Sequence, residues 1–360
     1  MSKKILNFEN KKYIITECWN YYRLELVLQY KNNIPWFIEN FIMMEVYDSY
    51  RSYYYEPNSQ DWASPNFDEF LEYDDFYDDN KVKDIIISGI QKGGYPILYV
   101  DMGCLTGAEM NHEILIIGYD FGKNTFKCVV LDKAPEFWRI EDFEINQVLK
   151  AFEKGKKYVL ENVQRNIVLS GLHYPFSVVY IKESNKREVR IHRIYNTLNL
   201  MLHSCETGIV GERMFAEEEI TWQCKYRGVG IYKLYFKKLC DILKNEGNAF
   251  LQNYRVPILT LKKLEESKTG LIMRIKYLTN AGYLKDTDIL VNQCGKLKDY
   301  VAISLKLLEK YSVTNDNVNL IKMSTYLQKA ALLEALILNS LLRKIEEIYQ
   351  KKNGEIYKTS

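Results

Sequence analysis

The hydrophobic pattern of the chain changes its period near residue 186, and this change limits the architectures open to it. Before that point, short apolar runs with strand character alternate with amphipathic helical segments. After it, a period near 3.6 dominates, as in "LKDYVAISLKLLEKYSV" and "LIKMSTYLQKAALLEALILNSLLRKIEEIYQKK". The pattern predicts an α+β domain over residues 1–185 and an all-helical domain over residues 186–360, with the boundary in "KESNKRE".

Two segments of the first half indicate how its sheet and helix are arranged. The stretch "HEILIIGYDFGKNTFKCVVLDK" predicts a β-hairpin, with strands at Glu113–Tyr119 and Thr125–Leu131 around the turn "DFGKN". The earlier stretch "CWNYYRLELVLQYKNNIP" predicts a helix with one broad apolar face. We therefore expect an N-terminal helix packed on an antiparallel sheet.

Composition excludes several functional classes. The formal net charge of +2 over 360 residues gives no electrostatic case for nucleic acid as the main partner. No apolar run approaches the roughly 18–20 residues of a membrane helix, and the N-terminus has no apolar signal core. The seven cysteines are scattered and form no C-x-x-C pair. We expect a cytoplasmic protein with reduced thiols and with neither a metal nor another cofactor.

Three residues form a candidate catalytic set. Cys18 stands at the start of the predicted helix, where the helix dipole favours a thiolate. His112 precedes one strand of the hairpin and Asp132 follows the other, so the hairpin should bring them side by side. An imidazole oriented by a carboxylate can take a proton from a thiol, and the pattern therefore indicates nucleophilic catalysis by cysteine.

Each of these residues also has a structural explanation. A cysteine on an amphipathic helix is more often a small core residue, and a histidine before a strand is often a half-exposed loop residue. An aspartate after a strand is a common turn former. Cys104, in "DMGCLTG", is a rival thiol because it follows a strand expected to neighbour that of His112.

The order of these motifs resembles that of a known family. A cysteine before the first helix, then "NHEILIIGYD", then "FKCVVLDKAPEFWRIEDF", is similar to papain-like cysteine enzymes of the C39-like kind, and most similar to the butirosin biosynthesis protein H family. The resemblance covers roughly the first 180 residues and extends more weakly to "RGVGIYKLYFKKL". It implies a papain-like domain in which Cys18 is the nucleophile, His112 the base and Asp132 the orienting acid.

The resemblance implies an acyltransferase of secondary metabolism, such as antibiotic biosynthesis of the peptide or aminoglycoside type. An acyl group would pass from the thioester of an acyl or peptidyl carrier protein to the cysteine, and then to a small-molecule amine. Two alternatives stay open. The same triad would act as a hydrolase, a thioesterase or peptidase, if water reached the acyl-enzyme first. A non-catalytic binding protein on a papain-like fold is the other.

The sequence departs from the family pattern before the nucleophile. C39-like peptidases usually carry a glutamine there to help stabilise the oxyanion, whereas this chain has Thr16 and Glu17. The backbone N–H groups of Cys18 and Trp19 could serve instead. Asn111, directly before the histidine, is a further candidate to line the cleft.

The sequence features that could bind partners are less specific than the catalytic motifs. Lys233, Lys237 and Lys238 in "YKLYFKKL" could dock an acidic carrier protein, although a solvated helix face is the simpler explanation. The tyrosine-rich first half and the apolar helices near Leu332–Leu342 could supply the interface of a homodimer.

Overall fold

The structure is a computed structural model that describes residues 2–16, 18–50, 52–55, 67–76, 81–131, 137–162, 175–183, 186–203, 206–212, 221–243 and 254–356. At some of these positions, Cys18 and Trp19 among them, it describes the backbone alone. None of the described helices is both long and apolar enough to cross a lipid bilayer.

The described ranges contain helices and strands in both halves of the chain. The helices are α1 (Cys18–Val27), α2 (Ile34–Glu39), α3 (Val82–Gln91), α4 (Ile145–Asn162), α5 (Ile191–His203), α6 (Gly230–Leu243), α7 (Arg255–Asn280), α8 (Asp288–Thr314) and α9 (Asn317–Ile356). The strands are β1 (Lys3–Ile5), β2 (Met43–Tyr47), β3 (Ser52–Tyr55), β4 (Leu71–Asp75), β5 (Tyr95–Asp101), β6 (Asn111–Asp120), β7 (Thr125–Leu131), β8 (Trp138–Glu144), β9 (Phe176–Ile181), β10 (Glu206–Glu212) and β11 (Thr221–Arg227).

The chain forms two compact units. The first contains Met1–Asn33, Asn66–Lys186 and Glu212–Thr221, and the second contains Ile34–Pro65, Arg187–Gly211 and Trp222–Ser360. The sequence pattern assigns the segment after α1 to the first domain, whereas this segment clusters with the second unit. The reason is strand pairing, because β2 pairs with β11, which lies far along the chain.

A seven-stranded sheet forms the frame of the first unit. Its order is β4-β9-β5-β6-β7-β8, with β1 paired to the end of β6, and the paired strands run antiparallel. The predicted α+β class and antiparallel sheet are therefore confirmed. The predicted hairpin is confirmed as well, since β6 pairs with β7 from Leu115 opposite Val129 to Asp120 opposite Thr125.

The second unit is not wholly helical, and the prediction of an all-helical C-terminal domain is wrong in this respect. The strands β10 and β11 interrupt the helical pattern and join β2 and β3 in a sheet of order β10-β11-β2-β3. Short strands such as "TWQCKYR" depend on a distant partner for their hydrogen bonds, so the local period of the sequence does not reveal them. The long helices α7, α8 and α9 are confirmed.

Polar groups are paired inside the second unit. Glu334 on α9 accepts hydrogen bonds from Lys268 Nζ and from the Tyr232 hydroxyl, both at 2.6 Å, and all three side chains are buried. Because a buried charge without a partner is costly, these bonds fix how α6, α7 and α9 pack together.

Helix α4 lies unusually close to the sheet beside the candidate site. A Cβ atom at Gly155 would lie 2.5 Å from the Tyr99 carbonyl oxygen and from Val100 Cα, far inside normal contact distance. Only glycine therefore allows α4 to approach the end of β5. The residues packed between this face of the sheet and α3 and α4 form the main core of the unit, including Ile86, Leu98, Ile114, Ile116, Val130, Val148, Phe152 and Val178.

A pair of glycine substitutions tests this close approach. Gly155→Ala should lower the free energy of unfolding by about 1–3 kcal/mol, because backbone atoms must move to admit the methyl group. Gly295→Ala on α8 is the matched control, since no atom lies within 4 Å of its added Cβ. That change should instead stabilise by about 0.5–1 kcal/mol through helix propensity. Urea unfolding followed by circular dichroism checks both; equal effects would contradict the close contact.

Candidate active site

Helix α1 begins at Cys18, as the sequence predicts. The helix is fastened to the sheet by Tyr22, one turn further along. The single proton of its buried hydroxyl is shared between the carbonyl oxygens of Glu113 on β6, at 2.9 Å, and Val129 on β7, at 3.0 Å. The N-terminus of α1 is thereby held at the end of the sheet where β6 begins. The predicted packing of an N-terminal helix on the antiparallel sheet is confirmed.

A buried ion pair reinforces the same contact. The Arg23 guanidinium donates two hydrogen bonds, each 2.9 Å long, to the two carboxylate oxygens of Glu113. Both side chains are almost fully enclosed, with 9% and 7% of their surfaces exposed. Tyr73 on β4 interacts with Arg23, and burial raises the pKa of its hydroxyl to about 12 although the positive charge opposes this. The bidentate geometry leaves little freedom for α1 to slide along β6.

Trp138, the first residue of β8, links the chain before α1 to the histidine. Its indole N–H donates to the Ile15 carbonyl at 2.9 Å, and its ring stacks on Tyr21 with centroids 3.9 Å apart and an interplanar angle of 6°. The His112 ring lies on the same indole, with centroids 5.7 Å apart. Trp138 therefore contacts both the approach to Cys18 and the candidate base.

His112 is half-buried, and within the described residues its ring forms a hydrogen bond from Nδ1 to the Glu113 carbonyl oxygen at 2.8 Å. A carbonyl oxygen can only accept, so Nδ1 carries the proton and Nε2 keeps a free lone pair. Burial lowers the pKa of the imidazole, although the Glu113 carbonyl and carboxylate act in the opposite direction. A neutral histidine with an unprotonated Nε2 is the form that a general base requires.

The structure describes only part of the predicted triad. Asp132 lies outside the described residues, and so does the side chain of Cys18. The last described residue before the aspartate, Leu131, ends β7 beside the start of β6, because Leu115 pairs with Val129. The triad as a whole stays a prediction.

The structure describes the side chains of some of the remaining cleft candidates but not of others. Thr16 is half-buried just before α1, whereas the side chain of Trp19 lies outside the described residues. Asn111 is half-buried and pairs with Asp101 across β5 and β6, while its carbonyl accepts a 3.4 Å hydrogen bond from the Tyr99 hydroxyl.

Cys104, the rival thiol, lies in a different set of contacts. It ends a 3-10 helix, Met102–Cys104, and its Sγ donates to Asp101 Oδ2 at 3.5 Å. Lys154 Nζ lies 3.4 Å from the same oxygen, and the thiol and the carboxylate raise the pKa of this lysine. Within the described part of the chain, its thiol therefore bonds to the Asp101 carboxylate, which also pairs with Lys154, instead of to His112, which argues against a Cys104–His112 dyad.

Four positioning residues escape the sequence analysis: Tyr22, Arg23, Glu113 and Trp138. A signal for two of them was present, since Arg23 interrupts an apolar helix face and Glu113 an apolar strand with the opposite charge. A charge in each of two elements that must pack together indicates a buried ion pair.

No metal centre emerges from the described residues, among which no group of three histidine, cysteine, aspartate or glutamate side chains is arranged to hold an ion.

Comparison with known proteins adds no assignment: no family model matches the sequence, and no curated protein is significantly similar to it.

The buried ion pair should be essential to the stability of the first unit. Arg23→Met leaves the Glu113 carboxylate buried without its partner, so the free energy of unfolding should fall by about 3–5 kcal/mol. Lys127→Met removes a comparable pair, Lys127–Asp142, whose side chains are 30% and 36% exposed. There the loss should be at most about 1 kcal/mol. Urea unfolding of the two variants should separate them, and similar small losses would argue that the Arg23 pair contributes little.

The lowered pKa of His112 predicts a stability loss in acid. As the pH falls, the unfolded imidazole, with its ordinary pKa of 6.5, binds a proton before the folded one does. The contribution is therefore fully present above that pH and declines below it until the folded pKa is reached, by at most about 1.4 kcal/mol per pH unit. His112→Gln should remove this dependence. Unfolding titrations of both proteins between about pH 5 and 8 check it, and parallel curves would contradict a neutral buried imidazole.

Proposed function

We propose that the protein is a cysteine-dependent acyltransferase on a papain-like fold, with Cys18 as nucleophile and His112 as general base. The observation that carries the proposal is the attachment of α1, which begins at Cys18, through Tyr22 and Trp138 to β6, whose second residue is His112. A helix N-terminus and a neutral imidazole at the same end of a sheet supply the two groups that thiol catalysis needs.

In the first step, Nε2 of His112 takes the proton of the Cys18 thiol, and the sulfur attacks the carbonyl carbon of an acyl thioester. The carbon–sulfur bond to the donor breaks, and the departing thiolate receives the proton from the imidazolium. Exchanging one thioester for another costs little free energy. Backbone N–H groups at the start of α1 would stabilise the oxyanion. The resemblance gives the orienting role to Asp132, whereas among the described residues Nδ1 is bonded to the Glu113 carbonyl.

In the second step, an amine attacks the acyl-enzyme. His112 takes a proton from the amine nitrogen, an amide forms, and the carbon–sulfur bond to Cys18 breaks as the thiolate regains a proton. Amide formation makes this step favourable, because an amide is more stable than a thioester. The family resemblance supports a carrier-protein thioester as donor and a natural-product amine as acceptor. Water in place of the amine would make the same residues a hydrolase.

Intact-protein mass spectrometry tests the proposal. After mixing with a simple acyl thioester, the wild type should gain the mass of one acyl group, because the thioester exchanges onto Cys18. Cys18→Ala should gain none, and His112→Gln should gain it at least about 100-fold more slowly because the thiol lacks its base.

Cys104→Ala is the matched control, since it removes the other candidate thiol and should acylate like the wild type. Acylation that survives in Cys18→Ala and is lost in Cys104→Ala would move the nucleophile to position 104. Failure of every protein to acylate with several thioesters, carrier-bound donors included, would favour the non-catalytic reading. Release of the acyl group by added amines faster than by water would distinguish transfer from hydrolysis.

A further inference from the structure

We propose that the main-chain carbonyl of Glu113 sets the tautomer of His112, and that the Tyr22 hydroxyl holds this carbonyl in place. Tyr22 is then a positioning residue for the base, acting from the helix that carries the nucleophile. The catalytic consequence rests on the proposed function, whereas the tautomer and its dependence on Tyr22 can be measured without any activity.

The Glu113 carbonyl can accept hydrogen bonds from side chains because the paired register of β6 and β7 ends at Leu115, before Glu113 is reached. The pairing of β6 with β7 extends from Asp120 back to Leu115, opposite Val129, and Glu113 lies two residues beyond that point. There the Tyr22 hydroxyl reaches the carbonyls of both strands, at 2.9 Å to Glu113 and 3.0 Å to Val129. A side chain from α1 thus joins the strands where their own ladder stops.

The Glu113 carbonyl has two lone pairs and two side-chain donors. One donor is the Tyr22 hydroxyl, and the other is Nδ1–H of His112 at 2.8 Å. The second bond holds the proton on Nδ1 and leaves Nε2 as the acceptor. The Trp138 ring, 5.7 Å away, restricts the imidazole from the side. The backbone of the neighbouring residue therefore orients the ring in the way that an acidic side chain does in a triad.

A carbonyl and a carboxylate orient an imidazole equally well but differ in charge. The carbonyl carries no net charge, so it stabilises the protonated ring less than a carboxylate would. This contact therefore favours a neutral base until a proton is transferred from the thiol. The hydroxyl matters for position: without it, the Glu113 carbonyl keeps only the imidazole N–H as a donor among the described side chains and is no longer tied to α1 and to the Val129 carbonyl, so it can move.

Nitrogen NMR of the histidine ring provides the decisive measurement. The chain has only four histidines, so the signals of His112 can be assigned by their loss in His112→Gln. At about pH 8, where the ring is neutral, the two nitrogen shifts show which atom carries the proton. We expect Nδ1 to be protonated in the wild type. A proton on Nε2 would overturn the proposal, whatever the protein catalyses.

Tyr22→Phe then tests the role of the hydroxyl. The variant keeps the ring and loses only the bonds to the two carbonyls, so His112 should become a mixture of both tautomers. Tyr95→Phe is the matched control, because this buried hydroxyl also donates to a backbone carbonyl, that of Asn7 at 2.7 Å, away from the histidine. It should leave the tautomer unchanged. An unchanged tautomer in Tyr22→Phe would also overturn the proposal.

Kinetics separate this inference from the proposed function. If the acyl-enzyme forms at Cys18, Tyr22→Phe should lower the acylation rate by roughly 10- to 100-fold at saturating thioester, with little change in the concentration needed for saturation. A protein that never acylates would end the proposed function and leave the tautomer result standing. If Tyr22→Phe does not fold, the tautomer of the wild type alone decides.

Discussion

The buried ion pair between Arg23 and Glu113 is the interaction on which the candidate site depends. It joins a helix near the start of the chain to a strand that lies 90 residues later. The pair costs free energy to bury and gains it back only in one bidentate geometry, so its main effect is to select one arrangement of α1 on β6. A shift of β6 by one residue would turn Glu113 to the opposite face of the sheet and break the pair.

The neighbouring groups use the arrangement that the ion pair selects. Tyr22, adjacent to Arg23, meets the two carbonyls at the end of the hairpin, and Trp138 closes the space between Ile15 and His112. These contacts place polar atoms at one end of the sheet, whereas its centre is packed with aliphatic and aromatic side chains. The packed centre therefore fixes the strands at whose end the half-buried His112 lies.

The elements that sequence predicts correctly are those whose signals are local. The hairpin has alternating apolar residues and a turn that contains Asp, Gly and Asn. The long C-terminal helices have a clear 3.6-residue period. The strands β2, β10 and β11 lack such signals because pairing between distant segments stabilises them.

The candidate site also combines features that depend on local sequence with features that depend on distant segments. The positions of Cys18 at a helix start and of His112 at a strand start could be predicted, since each depends on its own segment. The bond from His112 to the Glu113 carbonyl could not, because it needs the end of the β6–β7 ladder and a tyrosine from α1 together. Nor could the pairing of Cys104 with Asp101 and Lys154, which requires α4 to lie against the 3-10 helix.

The long-range contacts of α1 also impose an order of assembly during synthesis. Tyr22 is synthesised 91 residues before Glu113 and 107 residues before Val129, and Ile15 is synthesised 123 residues before Trp138. At about 5–20 residues per second, a ribosome needs on the order of 5 to 25 s to add that length of chain. Throughout this interval the nascent helix lacks the strands on which it packs. The buried contacts that join α1 to the end of the sheet therefore cannot be completed until β8 has been made.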